Sequence, residues 1–391
     1  MILKEDRVKT ILNIFKEEWK HCNLVYRPYL LERLAISTGA HILNRINNEH
    51  KLFYSHGKLK NLRNHFIIMD TSGYGKTIVH HFCLADPDGL LFDIIPCSQE
   101  LKISDEGFVG TMHRSSKTDE VERTQGLFGE MKDGIVGIEE FTRFAYWCQD
   151  DDPSNLSQGE EYMMVGMDSN KVPKRLASGS MPTKDICTTI WGAMRYQRIN
   201  FGNGLARRCT YGFYNPTYKD ALKYIEKEHE EDNIKIDPRN KESLKNEIDR
   251  LNELIPEVIE LDYSGIYNHP LFRSGTSSKD VLFPHFERDP VKRMIVGWSI
   301  ANGRYPELKI DKELHGLIEN ELENRDIISH NPRNEAVYRF IRDLRNEEVN
   351  QKWIEKFLFK QFQMDKKEIE LCLAELKKDD KIIRKKGEIY T

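Results

Sequence analysis

The run His65-Phe66-Ile67-Ile68-Met69-Asp70-Thr71-Ser72-Gly73-Tyr74-Gly75-Lys76-Thr77 constrains this chain more than any other stretch. An apolar block, a glycine-bearing turn and a helix start at Thr77-Ile78-Val79 read as buried strand, loop and helix. That order suits an anion, because backbone N–H groups after the strand can point at phosphate oxygens at the positive end of a helix. Gly73, Tyr74 and Gly75 would form the cradle, Lys76 would reach the β- and γ-phosphates, and the Thr77 hydroxyl would hold Mg²⁺. One position departs from the pattern: Asp70 stands six residues before the lysine, where a glycine is expected. Gly-x-Gly-Lys-Thr also occurs in ordinary loops, so a second motif has to decide.

That motif is Gly134-Ile135-Val136-Gly137-Ile138-Glu139-Glu140-Phe141, a mostly apolar run ending in two acids. A carboxylate at such a strand end can organise Mg²⁺ through water, and the next can polarise the attacking water. A buried strand with a solvated acidic end would explain the segment by itself. In this order and at this spacing, the two motifs together predict an ATPase using ATP and Mg²⁺.

At 391 residues the chain has room for two or three domains. With 39% apolar and 31% charged residues it reads as a globular protein with a polar surface. The start, Met1-Ile2-Leu3-Lys4-Glu5-Asp6-Arg7, carries charge where a signal peptide needs an apolar block, and no run is apolar enough to span a membrane. The seven cysteines include no Cys-x-x-Cys pair, so neither a zinc knuckle nor a disulfide framework is expected. These features predict an intracellular, cytoplasmic protein without a membrane partner. A net charge of −4 makes no global case for nucleic acid, so any such surface must be local.

Helical spacing of Val8, Ile11, Leu12, Phe15 and Trp19, then a second helix from Leu30 to Ile46, predicts a helical region over 1–60. An α/β core covers 61–215. Residues 216–285 are strongly charged and read as exposed helices interrupted at Asp237-Pro238. A helical lid is expected over 286–330, broken near Gly303-Arg304-Tyr305-Pro306. From 331 to 391, helices over Asn334–Leu344, Trp353–Phe362 and Lys366–Leu376 precede a hairpin turning at Lys386-Gly387, which together make a winged helix. That segment holds 15 Lys/Arg against 12 Asp/Glu, with Arg384, Lys385 and Lys386 at the wing. The balance suits phosphate contact, although winged helices also dock proteins.

The stretch from Gly126-Leu127-Phe128-Gly129 through Glu139-Glu140-Phe141 resembles the same region of the minichromosome maintenance (MCM) helicases, members of the AAA+ ATPases. The likeness covers roughly 60–215 and, more faintly, the lid and winged helix. It implies an AAA+ P-loop NTPase core with Lys76 and Thr77 on phosphate and metal, Glu139 in place of a metal-organising Asp, and Glu140 as the catalytic acid. Gly204-Leu205-Ala206-Arg207-Arg208-Cys209 resembles the element that supplies an arginine finger to the neighbouring subunit; Arg207 and Arg208 both fit, and the alternative is two ordinary surface arginines. Arg293 matches the sensor-two position. Met194 falls where the family has its sensor-one Asn, leaving Arg195 or Gln197 to substitute.

Lys171, Lys174 and Arg175 lie where the family projects a hairpin into the central channel, implying single-stranded DNA contact; an exposed basic turn is the plain alternative. Gly107 to Arg114 falls in a second loop expected to carry basic residues to the pore. His80 and His81 read as packing residues. The OB-containing N-terminal half of the family and a counterpart for 216–285 are missing from the likeness. The implied protein is a ring, six subunits by family expectation: a compact DNA helicase or translocase in replication, of a form suited to a virus or plasmid and then to a host cytoplasm. An ATP-switch initiator or helicase loader, which binds duplex DNA without translocating, is the first alternative. A protein-remodelling ATPase is the second.

Overall fold

The structure, a computed structural model, describes residues 9–22, 29–49, 61–71, 76–114, 121–149, 158–168, 171–172, 175–176, 179–180, 183–184, 186–215, 217, 219–220, 223, 235–257, 264–266, 269–272, 284–344, 351–379, 381–385 and 388–390. The apolar block of the opening motif forms strand β1 (His65–Met69), buried along its whole length. It is one of five parallel strands with β2 (Cys97–Glu100), β3 (Ile135–Ile138), β4 (Thr189–Met194) and β5 (Cys209–Phe213), in the order β5-β1-β4-β3-β2. The strand of the phosphate loop and the strand of the acidic pair are therefore separated by β4, which bonds to both.

A parallel sheet needs cover on both faces, and the side chains of this one divide by strand alternation. Phe66, Ile68, Ile135 and Trp191 face one core; Ile67, Met69, Val136, Ile138, Ile190 and Tyr211 face another. The first core is filled by α1 (Ile11–His21), α2 (Leu30–Glu49), α3 (Lys76–Leu84), α5 (Pro238–Glu257), α6 (Pro284–Ala301) and the first turns of α7 (Lys312–Ser329). The second is filled by the segments around Phe108, Phe128, Phe141 and Phe144, together with α4 (Gln158–Asp168). The α/β class expected from the sequence is thus observed.

Residues of the 1–60, 216–285 and 286–330 segments share a single core on one face of the sheet. Glycines bring two of its helices together. A Cβ on Gly39 of α2 would lie 2.7 Å from the Gly297 carbonyl oxygen of α6, and one on Gly297 would lie 2.3 Å from the Ile36 oxygen. Only glycine permits that backbone approach. Helix α5, expected to be an exposed charged helix, buries Leu244, Ile248, Leu251 and Ile255 on one stripe against α1 and α2. Its charge run hid an i, i+4, i+7, i+11 apolar face. The 224–234 segment, also expected to be helical, lies outside the described residues.

Two buried histidines are held neutral. His65 accepts the Ile190 N–H at 3.0 Å on Nδ1 and donates to the Met167 carbonyl at 3.2 Å from Nε2. His41 lies between the Thr189 hydroxyl and the Asp133 carbonyl. Burial lowers both, His41 to about 3, and at His65 only the uncharged ring can both accept and donate in this way.

The C-terminal residues build a smaller core of their own. Helices α8 (Pro332–Asp343), α9 (Gln351–Gln361) and α10 (Lys366–Lys378) enclose Val337, Phe340, Ile354, Leu358, Ile369 and Leu376. Phe340 stacks on Phe357 with centroids 4.0 Å apart. An Asp365–Glu368 capping box starts α10. Strands β6 (Ile383–Lys385) and β7 (Glu388–Tyr390) pair antiparallel with Lys385 opposite Glu388, the register expected for a turn at Lys386-Gly387. Three helices and a terminal hairpin are as the sequence predicts.

Candidate functional site

In open parallel sheets, ligands gather at the carboxyl ends of the strands. Here that edge carries Asp70 and Thr71 after β1, Glu139 and Glu140 after β3, and Arg195 after β4. Main-chain bonds lock these pieces together. The Asp70 N–H donates to Met194 O at 3.1 Å and the Phe141 N–H to Ala193 O at 2.8 Å, so the end of β4 fixes both motifs at once. The N–H groups of Glu139 and Glu140 donate to Glu100 O and Leu101 O at 2.9 and 3.0 Å, anchoring the acidic turn to β2 as well.

Helix α3 begins at Lys76 and packs down onto β3. A Cβ on Gly137 would lie 3.1 Å from the His80 ring and 2.8 Å from Leu84, so glycine in the acidic strand sets how closely the helix can approach. The consequence is a contact between the two motifs: the Thr77 hydroxyl donates to Glu139 Oε2 at 3.1 Å. The other Glu139 oxygen accepts from the Gln99 side-chain amide. Lys76, half-buried, donates from Nζ to the carbonyls of Asp70, at 3.0 Å, and Thr71. Asp70 itself is buried, and its Oδ1 accepts the Thr71 N–H at 2.7 Å. The residue that replaces the expected glycine therefore braces the loop's first turn. Gly73, Tyr74 and Gly75 lie outside the described residues.

Glu140 is exposed and pairs with Lys102 Nζ at 2.8 Å. That hydrogen bond, with the charges of Lys102, Arg195 and Lys76 adding to it, holds its carboxyl below the usual range. Glu140 is ionised at neutral pH and able to accept a proton. A hydroxyl and a carboxylate in contact are hard oxygen ligands of the kind that Mg²⁺ takes beside substrate phosphates. Lys76 places a cation at the same edge. The residues present fit Mg²⁺ and a nucleoside triphosphate.

Arg207 and Arg208 lie in a short 3₁₀ turn immediately before β5, at the amino edge of the sheet, opposite the phosphate loop. Arg207 is exposed. Arg208 is held inward by Asp168, at 2.5 Å, and by the Gly204 carbonyl. Arg293 is not brought to the loop either. It donates to Arg208 O at 3.2 Å and pairs with Asp168 at 3.3 Å, placing it with the other two arginines. The reason is the packing of α6 along α2, which carries Arg293 to the 206–208 turn.

The described residues of the 171–184 arm form two antiparallel pairs, with Lys171 opposite Lys184 and Arg175 opposite Ser180 in backbone register; Lys174 lies outside the described residues. Thr111–Arg114 pairs with Val121–Thr124 in a second hairpin, as a loop insertion would. Arg384 and Lys385 lie in β6, and Lys386 lies outside the described residues. His80 is fully buried against Gly137 and lowered to about 4 by burial, a packing residue as expected, whereas His81 is exposed.

Gln99, Lys102 and Asp168 were not foreseen. β2 reads Cys-Ser-Gln-Glu, without an apolar run, and only its pairing with β3 shows it to be a strand. A further His269, His315 and Glu319 cluster has ligand atoms within 4.8 Å of one another. His269 Nδ1 accepts the Leu271 N–H at 3.3 Å, however, so the neutral ring carries its proton on Nε2, the atom facing Glu319. The arrangement is a histidine–carboxylate contact and a poor metal site. Among the described residues no helix is long and apolar enough to cross a membrane. No protein-family model matches this chain, and no curated protein does.

Proposed function

We propose that this chain is an ATPase of the MCM-like AAA+ kind, assembling into a ring of six subunits by family expectation and acting on DNA as a compact helicase or translocase in replication. The observation that carries the ATPase reading is the Thr77–Glu139 contact at 3.1 Å, which joins two motifs 62 positions apart at one sheet edge. Lys76 would bind the β- and γ-phosphates, and Thr77 and Glu139 would hold Mg²⁺, which when bound would neutralise charge on the phosphate oxygens. Glu140 leaves Lys102, orients a water molecule and takes its proton as the water attacks the γ-phosphorus; the bond from that phosphorus to the β–γ bridging oxygen breaks, and ADP and phosphate leave. Gln99 keeps the Glu139 carboxylate aimed at the metal position.

Arg207 supports a site shared between subunits. It sits across the sheet from its own loop, so its interaction with nucleotide must be made with a neighbour's, whereas Arg293 on the same side is buried against Asp168 and the Arg208 carbonyl. Arg207, the exposed one, is the finger; Arg208, tied to Asp168, positions it. Arg207→Ala is expected to lower turnover by about 10³-fold or more while nucleotide still binds. Mixing it with Lys76→Ala protein should restore part of the activity at hybrid interfaces. No recovery at any ratio, with subunit exchange verified by mass, would remove the shared site.

The DNA reading rests on the 171–184 arm and on the C-terminal three-helix unit, taken as a winged helix. Replacing Lys171, Lys174 and Arg175 by Ala should weaken single-stranded DNA binding. It should also flatten the log K against log salt slope by about 2, if each side chain meets one phosphate. Basal hydrolysis should persist. An unchanged slope would count against DNA contact by the arm and favour the protein-remodelling reading. The basic residues of β6 favour a second reading, an initiator or loader that grips duplex DNA. Unwinding of a forked substrate separates it from a helicase.

A further inference from the structure

The C-terminal unit meets the rest of the chain at the nucleotide edge. Phe362, just after α9, stacks on Tyr196 with centroids 5.7 Å apart and planes 24° apart, and Tyr196 packs in turn on Phe213 at the end of β5. Phe362 packs against both the sheet core and the C-terminal core. Arg339 of α8 lies over the Phe213 ring at 5.6 Å and pairs with Glu323 of α7 at 2.7 Å. The next residue after Phe362, Gln363, has a left-handed φ of 53°, unusual for a residue with a side chain. Its side-chain carbonyl accepts a hydrogen bond from the guanidinium of Arg195.

Arg195 occupies a particular place. Met194 and Ala193, the two residues before it, accept the main-chain bonds that fix Asp70 of the loop and Phe141 after the acidic pair. Arg195 therefore leaves the sheet between the two halves of the candidate site, and its charge is felt by Glu140. Its side chain is exposed, and its hydrogen bond goes to a neutral amide across the domain boundary. A phosphate oxygen is a much stronger acceptor for a guanidinium than a carboxamide is.

We infer that Arg195 is a γ-phosphate ligand shared with Gln363, so that the docked C-terminal unit and ATP compete for one guanidinium and ATP binding releases that tie. This rests on the ATPase reading above. ADP lacks the γ-phosphate and leaves the Arg195–Gln363 bond in place. The left-handed turn at Gln363 is the device that aims its amide at β4, as an unusual backbone conformation at a functional contact would. The C-terminal unit thereby senses which nucleotide is bound through one hydrogen bond, with the Phe362–Tyr196 stack as its pivot.

The test is equilibrium binding of fluorescent ATP and ADP analogues to the full-length protein under non-hydrolysing conditions. Gln363→Gly removes the amide and suits the left-handed backbone, so the fold is kept. It is expected to tighten ATP analogue binding by about fivefold, the worth of one competing hydrogen bond, and to leave ADP unchanged. Arg195→Ala should weaken ATP but not ADP, Arg195→Lys should restore part of the difference, and Gln363→Gly should do nothing further in the Arg195→Ala background. Hydrogen exchange at 362–364 should speed up with the ATP analogue and not with ADP. If both nucleotides bind in a Lys76-dependent manner but Gln363→Gly shifts them equally, or acts equally without Arg195, the coupling is overturned and the ATPase reading stands. If neither nucleotide binds the unmodified protein, both fall.

Discussion

Glu140→Gln is expected to lower ATP turnover by about 10²–10⁴-fold while leaving ATP binding within a few-fold of normal. The amide keeps the size of the side chain but can neither accept the proton of the attacking water nor pair with Lys102, which now holds the carboxylate at 2.8 Å. Lys76→Ala should fail earlier, at binding, because the ammonium that now rests on the Asp70 and Thr71 carbonyls is the cation this reading assigns to the β- and γ-phosphates. Binding of a fluorescent ATP analogue and single-turnover hydrolysis, measured on the same preparations, separate the two losses. Near-normal turnover of Glu140→Gln would show that the acidic pair is misassigned.

The largest expected effect on stability lies away from that edge. Glu321 of α7 is fully buried, with one carboxylate oxygen 2.9 Å from Arg33 of α2 and the other 2.7 Å from Arg325 one turn along its own helix. It also accepts the Tyr211 N–H of β5 at 2.9 Å. Arg33 and Arg325 are almost completely buried themselves. Removing the carboxylate leaves two guanidinium groups without their counter-charge in a medium that solvates them poorly. Glu321→Ala is therefore expected to cost about 3–5 kcal/mol, seen as a lowered denaturant midpoint or as failure to accumulate folded protein. Replacing Glu321, Arg33 and Arg325 together by Met should recover much of that loss, because an apolar cluster of similar volume needs no charge compensation. A loss for Glu321→Ala below about 1 kcal/mol would mean that water reaches the cluster.

The interior polar network and the edge of the candidate site differ in how far they were legible beforehand. β1 announced itself by an unbroken apolar run, β3 by the same signal ending in two acids, and the terminal hairpin by its turn. The C-terminal helices followed from apolar spacing, and the break before α7 from Gly303 and Pro306. These are local signals, carried by neighbours in sequence. Helix α5 was misread as exposed because its polar residues outnumber the stripe of Leu244, Ile248, Leu251 and Ile255 that it buries. β2 was invisible because a short polar edge strand exists only by virtue of the partner it bonds to.

The chain's own sequence determined which residues could bind phosphate, hold a metal ion and activate water, since Lys76, Thr77, Glu139 and Glu140 are chemically suited to those tasks wherever they are placed. Tertiary structure alone decided that Thr77 and Glu139 touch, that β4 lies between their strands, and that Gln99 and Lys102 hold the two acids. It also decided that Arg207, Arg208 and Arg293 gather at the opposite edge around Asp168, and that Gln363 reaches Arg195. The physical reason is the parallel sheet. Each strand sends its carboxyl end to one edge and receives its chain at the other, so residues far apart in sequence meet according to strand order, which no local pattern of side chains encodes.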